Sequence, residues 1–119
     1  MNVIDVSNEI QERIKALSTY RDQLKELSKN KAECSADYER ALARCIVELR
    51  SGKEMQIDTV IVKDPPATVL EKVAKGIVWQ VGMNRDVAEA RYKNAIANIE
   101  AVKAELNGWQ SIYRHLDST

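Results

Sequence analysis

From Val3 onward, apolar side chains recur at a seven-residue spacing, at Val3, Ile10, Leu17, Leu24, Tyr38 and Cys45, with Lys31 the one polar member of the series. A second set, Val6, Tyr20, Leu27, Cys34 and Ala41, falls three residues after members of the first. Apolar groups at alternating spacings of three and four share one face of an α-helix, and a helix with such a stripe must lay it against another helix. The stripe is imperfect, because Arg13 and Glu48 occupy second-set positions and Ile14, Leu42 and Leu49 widen it. A widened, interrupted stripe suits a short antiparallel pairing better than a long parallel zipper.

The first helix is therefore read as residues 5–50, with Asp5 or Ser7 as its cap and Ser51-Gly52 as its stop. At ~1.5 Å per residue it is on the order of 65 Å long. Asn30 followed by Glu33 has the form of a capping box that would break it, but the stripe runs on through Cys34 and Tyr38, so one helix is expected. The period changes over 52–64, where Met55, Ile57, Thr59 and Ile61 alternate with Gln56, Asp58, Val60 and Val62. Those residues are rich in β-branched side chains and predict a strand or hairpin insertion. Asp64-Pro65-Pro66 then has the form of a helix start, a cap followed by prolines in the first turn.

The second helix is read as 66–117. Its stripe steps by three and four through Tyr92, Ala95, Ile99, Val102, Leu106, Trp109, Tyr113 and Leu116, and extends back through Ala88, Val81, Val78 and Ala74 with Arg85 as the interruption. Gly76 and Gly82 predict a kink or break near 76–82, leaving an uninterrupted helix from Ile77 to Leu116. The expected fold is mainly α: one domain, 1–119, built as a long antiparallel helical hairpin or coiled coil with a short β insertion between its arms.

Such a hairpin buries one stripe per helix, which seldom offsets the backbone entropy of ordering a chain this long. Further apolar positions lie off the stripes: Trp79, Met83, Val87, Ala90 and Ala97 on the second helix, and Ala36, Ala43 and Val47 on the first. Either the β segment and the short helix after it cover them, or a second chain does. We expect a homo-oligomeric bundle, with Trp79, Met83, Val87, Ala90, Ala43 and Val47 as its interface or as a protein-binding surface.

The residues for most chemistries are missing. The four glycines, Gly52, Gly76, Gly82 and Gly108, are scattered and none opens a phosphate-binding loop. His115 is the single histidine, so metal and triad readings lack parts. Asp86 with Glu89 and Glu100 with Glu105 read as a solvated charged face, because Arg85, Lys93 and Lys103 lie close by. Cys34 and Cys45 would be roughly 16 Å apart along one helix, beyond the reach of a disulfide, and read as small core residues. No enzyme activity, cofactor or metal is expected. No apolar run approaches the ~18 residues of a membrane span, and the N-terminus lacks the pattern of a signal peptide. A cytoplasmic protein with no membrane partner is the expectation.

Balanced charge, 18 Lys+Arg against 18 Asp+Glu, argues against a chain built mainly to coat nucleic acid. Locally, Arg40, Arg44, Lys72 and Lys75 gather basic charge towards the β end, where an exposed Trp79 or Tyr38 would offer a stacking face. Single-stranded DNA is thus an alternative partner. A third reading takes Arg85 as lining a pocket at the oligomer interface that sequesters a small anionic ligand such as a nucleotide signal.

The segments Ala36-Asp37-Tyr38-Glu39-Arg40-Ala41-Leu42-Ala43, Glu48-Leu49-Arg50, Pro66-Ala67-Thr68-Val69-Leu70, Val73-Ala74-Lys75-Gly76, Ala88-Glu89-Ala90-Arg91-Tyr92-Lys93, Ala104-Glu105-Leu106 and Gln110-Ser111-Ile112-Tyr113 resemble a group of small helical proteins encoded by phages and prophages of Gram-positive bacteria. The resemblance covers about Ala36 to Leu116, with Lys53 to Asp64 an insertion relative to shorter members, and it brings no catalytic or binding residues. It implies a phage accessory protein acting in the host cytoplasm, whose genes often neighbour those for recombination and single-strand binding. The leading expectation is a non-enzymatic protein that binds a host factor of DNA processing or defence and inhibits or adapts it. A recombination or replication accessory protein that binds single-stranded DNA is the alternative.

Overall fold

The computed structural model describes residues 1–118. The chain is mainly α, a hairpin of long antiparallel helices with a small β-hairpin between them. In chain order the elements are α1 (Val3–Arg50), β1 (Met55–Ile57), β2 (Val60–Val62), α2 (Leu70–Ile77) and α3 (Trp79–Asp117). They form two compact units, one of Lys29–Glu89 and one of Met1–Ser28 with the chain from Ala90 onward.

In the unit holding both chain ends, the stripe positions Val6, Leu17, Ala95 and Ile99 are buried. The cap of α1 lies earlier than Asp5 or Ser7. Asn2 Oδ1 accepts the Asp5 backbone N–H at 2.9 Å, and Asp5 Oδ2 accepts the Asn2 N–H at 3.3 Å. This is a reciprocal capping box with Asn2 as cap and Asp5 at the third helical position, so two unpaired donors are satisfied at once. Arg13, at an interrupted stripe position, reaches across to α3: its Nε lies 3.2 Å from Glu105 Oε2, its guanidinium carbon is 5.9 Å from the centre of the Trp109 ring, and it also pairs with Glu9. A cation replaces an apolar contact there because an aromatic face and a carboxylate both meet it. Trp109 itself is half-buried.

In the other unit α1 ends as Ser51-Gly52 predicts. The Lys53 N–H reaches the Glu48 carbonyl at 3.1 Å and the Gly52 N–H the Leu49 carbonyl at 3.2 Å, with Gly52 at φ 87°. These are the paired bonds of a Schellman motif, in which glycine takes the left-handed conformation that a Cβ disfavours. The insertion is a two-stranded antiparallel hairpin pairing Met55 with Val62 and Ile57 with Val60. Asp58 takes φ 50° in its two-residue turn, as the primed hairpin turns require. That turn changes the face pattern read from alternation: Val62, not Ile61, joins Met55 on the packed face.

The second helical segment begins at Leu70, not 66. Asp64 is no cap, because it takes φ 46°, and the Val69 N–H bonds the Pro66 carbonyl at 3.0 Å to close a turn before the helix starts. The expected break near 76–82 falls at Val78, φ −96° and ψ 24°, between α2 and α3. With that break, α2 and the hairpin fold onto the end of α1: Cys45, Leu49, Leu70 and Ala74 form the core, flanked by Leu42, Ile46, Met55, Val62, Val73, Ile77 and Val78. The hairpin reaches α2 beside Gly76, where a Cβ would stand at ordinary contact distance, 3.4 Å, from Ile57 Cδ1.

Candidate interaction surface

The apolar positions off the stripes remain uncovered. Trp79, Met83 and Val87 are 54%, 52% and 43% exposed, and at four-residue spacing they form one row along α3 within the 29–89 unit. On α1, Val47 is 66% exposed and Ala43 is exposed four residues before it. Ala90, where α3 enters the other unit, is exposed too. Of the two coverings weighed for these residues, the chain's own β segment and short helix are excluded. They pack on Cys45 and Leu49 instead, because those side chains lie on the other side of α1 from Val47.

The edges of the α3 row carry little free charge. Gln80 Nε2 donates to Asn84 Oδ1 at 3.3 Å, and Asp86 Oδ1 lies 3.2 Å from Arg85 Nε. Arg85 lies against its own chain. Its guanidinium carbon stands 3.9 Å from the centre of the Tyr38 ring, stacking on a tyrosine that is itself buried. Partial burial works against the Arg85 charge, but the hydrogen bond and charge of Asp86, with Tyr38, leave its pKa above the ordinary arginine value. The interruption of the stripe is thus an arginine lying along the seam with its charge engaged inside its own chain. Tyr38 is also withdrawn as a stacking face; a Cβ on Gly82 would stand 3.4 Å from its Cε2, so α3 closes over the ring.

The basic residues are exposed and stand on two elements, Arg40 and Arg44 on α1 and Lys72 and Lys75 on α2. Arg40 and Arg44 line an open groove of about 360 Å³ with Asp37, Ala41, Val81 and Asn84, in which Asp37 offsets part of their charge. Lys72 and Lys75 stand on α2 at positions turned away from its buried Leu70 and Ala74, and Lys75 Nζ is 3.3 Å from Glu71 Oε1.

Two surfaces were not singled out in the sequence. In the unit of the chain ends, an open groove of about 540 Å³ runs between Ile14, Leu17, Ser18, Arg21, Lys25 and Leu106. Ile14 signalled it by widening the stripe. On β2, Val60 and Ile61 are exposed, which the alternation could not reveal without knowing where the hairpin turns.

Cys34 is half-buried and Cys45 buried, both as free thiols. Burial, with the nearby charge of Glu48, pushes the Cys45 thiol above its ordinary value, and its Sγ lies 3.8 Å from Met55 Sδ. Among the described residues, no group of three or more His, Cys, Asp or Glu side chains is placed to hold a metal ion. None of the described helices is long and apolar enough to cross a membrane. Neither family models, nor curated proteins, nor solved structures match the chain.

Proposed function

We propose that the chain is a non-enzymatic accessory protein that works by protein contact: it self-associates and presents a rigid helical surface to a protein partner. The observation that carries this reading is the exposed row Trp79, Met83 and Val87 on α3. Tryptophan is the residue most enriched at the energetic centre of interfaces, and methionine adapts its unbranched, polarizable side chain to whatever packs on it. A folded chain with a half-exposed tryptophan next to a half-exposed methionine on one helical face has surface to spare for a partner. The resemblance to small phage and prophage proteins supports a partner in the host cytoplasm, a factor of DNA processing or defence that the protein inhibits or adapts.

The test compares wild type with Trp79→Glu, whose retained helicity is checked by circular dichroism. Affinity capture from host lysate, read by mass spectrometry, should enrich one protein with wild type and lose it at least tenfold with the variant. Light scattering should show a parallel loss of self-association. A monomeric wild type whose captured protein is indifferent to Trp79→Glu overturns the proposal. Single-stranded DNA serves as the comparison arm: binding with a steep salt dependence that disappears when Arg40 and Arg44 become Ala would replace protein contact with the recombination reading.

A further inference from the structure

We infer that the occupant of the α3 row is a second copy of the same chain, packed antiparallel about a two-fold axis at Met83. The inference rests on the protein-contact reading and names the partner at that face. Its first support is spacing. Trp79 and Val87 lie four residues on either side of Met83, so an antiparallel second copy centred there sets Met83 on Met83 and each Trp79 on Val87 of the other chain. The bulky ring meets the smaller aliphatic side chain twice, which is the self-complementarity an isologous interface requires. Rows of four-spaced side chains are also the ridges by which helices most commonly interdigitate.

Charge supplies the second support. A two-fold axis brings each edge of the row against the same edge of the other copy, so any uncompensated charge on an edge would face its own sign. Along one edge stand Gln80 and Asn84, neutral amides joined at 3.3 Å, which can exchange that bond for the equivalent one to the second copy. On the other edge, Asp86 has its counter-charge at 3.2 Å in Arg85. An edge whose charge is compensated within its own chain can face the same edge of a second copy without repulsion.

Area sets the strength. The exposed parts of Trp79, Met83 and Val87 amount to on the order of 300 Å² per chain, below the ~800 Å² per partner of a standard interface. The association should therefore be weak and reversible, populated at the high protein concentrations of a scattering experiment.

The experiment is position-specific cross-linking of the full chain with Cys34 replaced by Ser. Met83→Cys should give a disulfide-linked dimer on mild oxidation, because the axis brings position 83 onto itself. Trp79→Cys and Val87→Cys should not, since an antiparallel pair separates each from its own copy by about 12 Å along the helix, beyond disulfide reach. Equal cross-linking at 83 and 87 would mean a parallel pairing and overturn the inference. So would a wild-type chain that sediments as a monomer up to about 0.5 mM. A monomer would also remove self-association from the broader reading, whereas a parallel pairing would leave it standing; contact with a separate protein partner is tested by the capture experiment with Trp79→Glu.

Discussion

Gly52 and Cys45 show how a single side chain, or its absence, is specified by its surroundings. Gly52 takes φ 87° at the end of α1, where its N–H and that of Lys53 satisfy two helix carbonyls. The space around it would admit a methyl group, since a Cβ would stand 3.6 Å from Asp64 Oδ1. The penalty for Gly52→Ala is therefore one of backbone conformation: a loss of about 1 kcal/mol in denaturant unfolding, with Asn at that position losing less. Cys45 differs from Cys34 by burial. Ellman titration of the native protein should modify Cys34 first and Cys45 only at the rate of unfolding. The Cys45 thiol has its pKa raised above 9.0 by burial and by Glu48, so folded chains hold the proton more tightly than unfolded ones. Its contribution to stability is complete below pH 9.0 and is lost as pH rises from there through the folded value, which pH-dependent unfolding checks.

Among the elements, α2 and the β-hairpin decide which part of α1 is core. Leu49 is 1% exposed beneath them, while Val47, two residues earlier, is 66% exposed. Leu49→Ala should therefore destabilise by about 2–5 kcal/mol, and Val47→Ala by less than about 0.5 kcal/mol, in the same unfolding assay. Equal effects would mean that α2 does not pack where the structure has it. The two helix starts show why boundaries are hard to read. Asn2 and Asp5 form a capping box from residue types that also occur along the helix, and the Pro65-Pro66 signal marks a turn that precedes α2 by a few residues. In both cases the local signal is real and the position of the helix depends on which donor finds which acceptor.

For the molecule as a whole, the balance of 18 Lys+Arg against 18 Asp+Glu removes the long-range repulsion that would keep copies apart. Association through the α3 row should then respond to salt as apolar contact does. Dimer mass measured by light scattering should hold or rise between low salt and about 0.5 M, where screened charge pairs would have weakened. A dimer that dissociates over that range would point to the charged surfaces instead of the row.

Much of this architecture is legible in the sequence because helix formation, capping and hairpin turns are local. The three-and-four spacing from Val6 to Cys45 and from Ala74 to Leu116, the glycine after Arg50 and the β-branched run Val60-Ile61-Val62 each act within a few residues, and each is present in the fold. Which stripe is covered, and by what, is decided only when distant segments meet. Tyr38 becomes buried because α3 packs over its ring near Gly82 and Arg85 stacks on it; Arg13 is held because Glu105 and Trp109 arrive from α3. Trp79 is left in the open because the chain bends at Val78 and commits α2 to Leu49. Periodicity states that a face is apolar, whereas burial depends on a contact between residues far apart in the chain, and only the tertiary structure specifies that contact.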